Sequence, residues 1–413
     1  MVRATAPGPR LADFEAAREI VGRVAQSTPL ESSRNLSRIL GSEVLLKCEN
    51  LQRTGSYKLR GAYNFIAQLT PAERKKGVVA ASAGNHAQGV ALAASELGIK
   101  ATIFMPVGVA LPKLEATQGY GANVVLTGNI FNESLKAAQD FAKKTGAIFV
   151  PPFDDPKVII GQGTLGLEIL EDCPDVDTII VPIGGGGLIS GLAAAVKQKS
   201  AELGRKVRIV GVQAENAASY PPSLKAGKPV KVTVNPTISD GIAVATPGKS
   251  NFPIIKHYVD EVVTVSDDST AKALVLLLER AKLVAEPAGA VSVAAILEGK
   301  VKHSGKTVAL VSGGNIDPML MQRIVAHGLA ASERYLKLRI MLPDRPGQLA
   351  ETSRLVAEAN ANVVEVVHTR HGKFQINEAE LELHIETRGP EHRKAVMKKL
   401  RDAGYQVRAI DDI

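Results

Sequence analysis

Through most of the chain, short apolar runs rich in Val and Ile alternate with Ala-rich stretches of helical periodicity. Residues 43–47, 78–81, 101–105, 123–126, 148–150, 178–181, 208–212 and 307–311 read as strands, and 85–96 and 189–199 as helices between them. Apolar strands without strict alternation, separated by helices, predict α/β architecture with parallel sheets covered on both faces. From about Tyr335 the pattern changes. Residues 336–342 read as a strand, 346–359 as a helix with Pro346 at its start, 362–370 and 378–387 as alternating strands, 391–403 as a helix and 405–410 as a strand. That βαββαβ order is a ferredoxin-like unit. It predicts a separate C-terminal domain over 335–413, joined through 328–334 to a unit spanning 1–330.

Composition narrows the picture. The 413 residues are 45% apolar and 22% charged, which excludes a disordered chain or a coiled coil. Aromatic content of 4%, with no Trp, calls for an aliphatic core and argues against a base-stacking platform for nucleic acid. The net charge of +8 is spread along the chain, a field that suits small anionic ligands without marking a nucleic-acid or membrane patch. Two cysteines, Cys48 and Cys173, make no disulfide framework, so a reducing, cytoplasmic setting is expected. Residues 1–10 lead into no apolar segment of a secretory signal, and no run of 18 apolar residues occurs.

Four stretches carry candidate chemistry. In ENLQRTGSYKLRGAYN, Lys58 follows the small turn Thr54-Gly55-Ser56 and opens a helix. The helix dipole disfavours its ammonium form there, which makes it a candidate Schiff-base former. In SAGNHAQG, after the strand at 78–81, a Gly-containing turn before a helix offers backbone N–H groups to an anion, with Ser82, Asn85 and His86 adding side chains. Gly184, Gly185, Gly186 and Gly187 lie directly between a strand and a helix, where their conformational cost is justified if a phosphate approaches the bare backbone. In VSGGN, Ser312 stands at the carboxyl end of a strand, where ligands of open α/β sheets bind. Gly161, Gly163 and Gly166 match G-x-G-x-x-G literally, but no firm strand precedes them and no acidic residue lies about 20 residues on; they read as a helix start. His86, His257, His303 and the C-terminal histidines show no metal-ligand spacing.

TGSYK, SAGNH, GGGGL and VSGGN in this order resemble the fold-type II pyridoxal-phosphate enzymes, and within them the threonine dehydratases (threonine ammonia-lyases). The C-terminal unit, with Asp344-Arg345-Pro346-Gly347-Gln348-Leu349, resembles an ACT domain, as in the medium-length form of that family. The resemblance implies two α/β lobes, the smaller roughly 50–155 inserted in the larger, 1–49 and 156–330. It implies pyridoxal 5'-phosphate held covalently by Lys58, with Tyr57 against its ring, Asn85 on the ring hydroxyl and Ser312 at the pyridine nitrogen. Gly184 to Gly187 and Leu188 would hold the phosphate, and Gly241 and Glu286 would line the pocket. Ser82, Ala83, Asn85 and His86 would cradle the substrate carboxylate. The implied reaction is dehydration and deamination of L-threonine to 2-oxobutanoate and ammonia, and of L-serine to pyruvate, in isoleucine biosynthesis or a related branch of amino-acid metabolism. An effector amino acid would bind at Asp344, Gly347, Gln348, Leu349, Asn362 and Val363 in a homo-oligomer, dimer or tetramer. No nucleic acid or membrane partner is implied.

Three alternatives stand beside this reading. A serine racemase of the same fold would carry a serine where Ala83 stands. A threo-3-hydroxyaspartate dehydratase would need a further cation. A non-catalytic amino-acid sensor would not need Lys58. No divalent metal site is expected, because Glu215 lacks the acidic partner that racemases use; a monovalent cation near Glu215 is compatible with the pattern.

Overall fold

The computed structural model describes residues 6–302, 305–370 and 377–410; His303 lies outside them. The chain forms two compact units, Met1–Pro318 and Met319–Ile413.

The first unit contains β1 (Leu30–Ser32), β2 (Val44–Cys48), β3 (Val78–Ala81), β4 (Ala101–Met105), β5 (Asn123–Leu126), β6 (Ile148–Phe149), β7 (Thr178–Pro182), β8 (Arg208–Ala214), β9 (Glu261–Val265) and β10 (Thr307–Val311). They make a six-stranded sheet in the order β1-β2-β10-β7-β8-β9 and a four-stranded sheet in the order β5-β4-β3-β6. Every pairing is parallel except β1 with β2. Parallel neighbours need crossover connections, which the intervening helices supply, and those helices bury both faces. β3, β7 and β10 are accordingly buried along their whole length.

Strand order decides where the chemistry falls. β2 lies beside β10 in the register Val44↔Thr307 to Cys48↔Val311, so the segments leaving both strands start from one edge. There Ser56 bridges to Gly313, and the Tyr57 N–H donates to the Ser312 carbonyl at 3.2 Å. β7 flanks β10 on the other side and releases the four-glycine turn at the same edge.

The helix Pro156–Asp172 packs against both Lys58–Ala67 and Gly187–Glu202. Asp155 caps it by accepting from the Lys157 and Val158 N–H groups. Gly161, Gly163 and Gly166 lie inside this helix, so the expected helix start is corrected to Pro156. A Cβ at Gly161 would meet the Arg60 carbonyl at 2.6 Å, one at Gly163 the Gly191 carbonyl at 2.8 Å, and one at Gly166 the Leu192 carbonyl at 2.9 Å. These glycines set close helix crossings. A buried ion network adds to this seat. Arg60 donates to Glu49 at 2.8 and 2.9 Å and pairs with Glu168 at 2.8 Å, while Lys47 reaches Glu168 and Asp172 at 2.7 Å each.

The second unit contains all but the first residue of the helix Pro318–Ala331, then β11 (Tyr335–Pro343), β12 (Asn362–Thr369), β13 (Glu378–Glu386) and β14 (Gln406–Ala409). The four strands form an antiparallel sheet ordered β12-β13-β11-β14. Alternate residues Leu336, Leu338, Ile340, Leu381, Leu383 and Ile385 pack with Leu355, Val356, Val396 and Leu400 of the helices Gln348–Glu358 and Pro390–Asp402. Residues 328–331 of the expected linker are the last turn of Pro318–Ala331, and the division falls after Pro318, ahead of the expected 330–335. Met319, Leu320, Met321, Ile324, Val325, Leu329 and Ala330 give that helix its apolar face. Pro346 precedes the helix at 348 instead of starting it, because Gly347, at φ +91°, occupies the cap position.

Candidate active site

Lys58 is the first residue of its helix, with Tyr57 at the cap position. Its Nζ donates to the Pro152 carbonyl at 2.9 Å and lies 5.3 Å from the Tyr57 ring centroid. Desolvation lowers its pKa to about 8, with the nearby Glu286 opposing. Burial, then Glu286, push the Tyr57 phenol up. Glu286 is itself raised to about 7 by burial, against the Asn85 N–H that stabilises its charge. His86 Nε2 lies 2.9 Å from the Val150 carbonyl, an acceptor only, so this nitrogen carries the proton. Burial and the charge of Lys58 hold His86 down at about 3, which leaves it neutral.

The glycine turn is a cradle by necessity of space. A Cβ at Gly185 would strike the Phe153 ring, and one at Gly187 would come within 2.8 Å of the Phe153 carbonyl. Gly186 sits at φ +107°, and a Cβ there would strike the Tyr220 hydroxyl, which donates to the Gly185 carbonyl at 3.0 Å. A Cβ at Gly184 would meet the Ile242 Cα at 3.2 Å. The bare turn leads into the first N–H groups of Gly187–Glu202, a site for a phosphate.

A cavity of about 410 Å³ joins these parts. It is lined by Tyr57, Lys58, Ser82, Ala83, Asn85, His86, Gly184, Gly185, Gly186, Gly187, Leu188, Gly241 and Glu286. Ser312 does not line it; the residue is 4% exposed just past β10, its carbonyl accepting from the Tyr57 N–H. The sequence reading missed Pro152, Phe153, Lys113, Phe131 and Asp240 of the lining, and Asn315, whose amide donates to Asn85 Oδ1 at 2.8 Å. The run PPF after β6 was a usable turn signal for Pro152 and Phe153. Glu215 is exposed beyond β8, and among the described residues no three His, Cys, Asp or Glu side chains are grouped to hold a metal ion.

In the second unit the expected effector residues occupy two places. Asp344, Gly347, Gln348 and Leu349 surround the start of Gln348–Glu358, where Asp344 pairs with Arg370 at 3.1 Å and Gln348 accepts from the Tyr405 hydroxyl at 3.2 Å. Asn362 and Val363 open β12, where Asn362 donates to Glu386 at 3.2 Å.

Residues 23–313 match the family described as pyridoxal-phosphate dependent enzyme, and residues 337–404 match the ACT domain. The chain belongs to the pyridoxal-phosphate dependent enzymes. The L-threonine ammonia-lyase of Thermotoga maritima is 50% identical over 402 residues, 97% of this chain and 99% of that protein. The processed form of threonine deaminase isoform 2 from Solanum lycopersicum superposes with a TM-score of 0.73 at 37% identity, covering 79% of this chain and 96% of that one. Maize serine racemase superposes with a TM-score of 0.72 at 34% identity, covering 77% and 96%. In this pyridoxal-phosphate dependent enzyme the residues present fit the cofactor. A lysine of lowered pKa faces the cavity, and the four glycines that line it, pressed without side chains against Phe153 and Tyr220, lead into the free N–H groups of a helix start.

Proposed function

We propose that this enzyme is an L-threonine ammonia-lyase, which converts L-threonine to 2-oxobutanoate and ammonia and accepts L-serine as a second substrate, giving pyruvate. The observation that carries the proposal is the meeting in one cavity of Lys58, the glycine cradle and the SAGNH turn. Bound pyridoxal phosphate supplies an electron sink for the α-carbon. Lys58 and the four glycines would hold it, with Leu188, Tyr57, Asn85 and Gly241 around it. Ser312, just past β10, would complete the ring's surroundings.

The chain's own groups do the rest. The Lys58 amine would remove the α-proton of the substrate; an amine of pKa about 8 is a competent base near neutral pH. The substrate carboxylate sits at Ser82, Ala83, Asn85 and His86, where N–H groups at a helix start favour negative charge. His86 stays neutral there, its Nε2–H committed to the Val150 carbonyl, so its side chain adds no positive charge and its backbone N–H in the first helical turn is what faces a carboxylate. Ala83 has no exchangeable proton, so nothing at that position serves the opposite face as racemisation would require.

The ACT unit would bind an amino-acid effector at Asp344, Gly347, Gln348, Leu349, Asn362 and Val363, in a homo-oligomer. A cytoplasmic setting completes the proposal: Cys48 and Cys173 are both free and buried. Among the described residues no helix is long and apolar enough to cross a membrane. Steady-state formation of 2-oxo acid from threonine, serine and threo-3-hydroxyaspartate tests the substrate assignment. Threonine should give the highest kcat/KM. Dominant turnover of hydroxyaspartate, or serine racemisation outpacing elimination, would overturn it.

A further inference from the structure

Asn85 is held at both ends of its amide by the protein. Its Nδ2 donates to Glu286 Oε1 at 2.6 Å, and its Oδ1 accepts from Asn315 Nδ2 at 2.8 Å. The orientation of both amides follows from one fixed point. Asn315 Nδ2 also lies 2.7 Å from the Thr54 carbonyl, which can only accept, so that atom of Asn315 must be the nitrogen. The Asn85 atom facing it is then the oxygen, and the Asn85 nitrogen is turned to Glu286. Gln88 Oε1, at 3.2 Å, is a further acceptor beside Asn315 Nδ2.

The glycines around this chain of bonds make room for it. A Cβ at Gly55 would strike Asn315 Oδ1. A Cβ at Gly313 would strike Glu286 Oε1 and approach Asn85 Nδ2 at 3.2 Å. Glu286 and Asn315, from two distant segments, thus hold the Asn85 side chain, and the Thr54–Gly55 turn holds Asn315. With its oxygen occupied and one N–H committed to Glu286, Asn85 has one N–H left for whatever fills the cavity it lines.

We propose that Asn315 and Glu286 are positioning residues that lock the Asn85 amide with its nitrogen toward the cofactor, so that Asn85 acts only as a donor to the ring oxygen. This rests on the reading of the cavity as the pyridoxal-phosphate site. Asn315→Asp reverses the polarity of the lock. An aspartate cannot donate to Asn85 Oδ1 or to the Thr54 carbonyl, so the Asn85 amide turns over and presents its oxygen to an oxygen of the cofactor. Glu286→Gln keeps an acceptor for Asn85 and leaves the lock in place.

The test is the visible absorption spectrum and cofactor dissociation constant of the purified full-length holoenzyme, measured without substrate. Asn315→Asp and Asn85→Ala should redistribute the bound-cofactor bands in the same way and weaken cofactor binding by about tenfold, the effect of one lost hydrogen bond. In the Glu286→Gln background, which keeps an acceptor for Asn85 Nδ2, Asn315→Asp should produce the same further change as in the wild type, and its absence there overturns the lock. In the Asn85→Ala background, Asn315→Asp should have no further effect. A wild-type spectrum in Asn315→Asp, or an equal change from it in the Asn85→Ala background, overturns the lock. Circular dichroism identifies any unfolded variant, and Asn315→Ala then takes the place of Asn315→Asp with the same two criteria. Absence of any bound-cofactor absorbance in the wild-type protein would instead defeat the reading of the cavity.

Discussion

Burial at the start of a helix lowers the pKa of the Lys58 amine to about 8, and the Pro152 carbonyl accepts its hydrogen bond. Neutral amine is the form that joins a cofactor aldehyde. Uptake of pyridoxal phosphate by the apoprotein should therefore accelerate as pH rises through about 8 and level off above it. Stopped-flow measurement across that range checks this; a rate still climbing toward the ordinary lysine pKa of 10.5 would contradict it. Gly186 bears a second prediction. Gly186→Ala forces a Cβ onto a backbone at φ +107° and toward the Tyr220 hydroxyl. The strain alone costs roughly 1–2 kcal/mol, so cofactor affinity should fall about tenfold or more while the variant still folds, read by equilibrium dialysis and circular dichroism. Lys58 and the glycine turn were legible in sequence because each has a local, backbone-level reason. PPF signalled a turn but not that Pro152 and Phe153 meet Lys58 and the glycines, and the closeness of Asn315 to Thr54 and Asn85 arises from strand order. The chain reveals that order only once β2 lies beside β10.

Strand positions followed the apolar pattern closely, even at β5, none of whose four residues is buried. β3, β4, β5 and β10 coincide with the expected runs at 78–81, 101–105, 123–126 and 307–311. β1 and β9 escaped notice: the first is only Leu30–Ser32, and the second is half-exposed for most of its length, so neither carries a continuous apolar run. The glycines at 161, 163 and 166 misled as a motif because Gly for a tight turn and Gly for a close helix crossing look alike in sequence. Their role in the crossing predicts that Gly163→Ala, which pushes a methyl group onto the Phe14 ring and the Gly191 carbonyl, destabilises the protein. Overpacking of this kind costs about 1–3 kcal/mol. Urea unfolding should show that loss with an unchanged m-value; a midpoint equal to wild type would contradict it.

The molecule pairs a unit built for cofactor chemistry with an ACT unit whose core is independent and aliphatic. An effector that binds the folded ACT unit stabilises it by mass action, about 2.7 kcal/mol at a hundredfold excess over its dissociation constant. Titrating the full-length holoenzyme with isoleucine or valine should therefore raise the melting temperature, and replacing Asp344 and Asn362 by Ala should abolish the rise. A flat response to both amino acids would contradict the assigned pocket. The βαββαβ order was readable because β11 and β13 alternate cleanly, whereas the start of the second unit was hidden in Pro318–Ala331, where the division falls inside a helix that no turn residue interrupts near its start. The central claim concerns the chemistry at Lys58. Its most direct test is the conversion of L-threonine by the pyridoxal-phosphate-loaded protein, following 2-oxobutanoate and ammonia together. The account predicts equimolar formation of the two and its loss in Lys58→Ala; no oxo acid from the wild-type protein, or turnover that survives in Lys58→Ala, would contradict it.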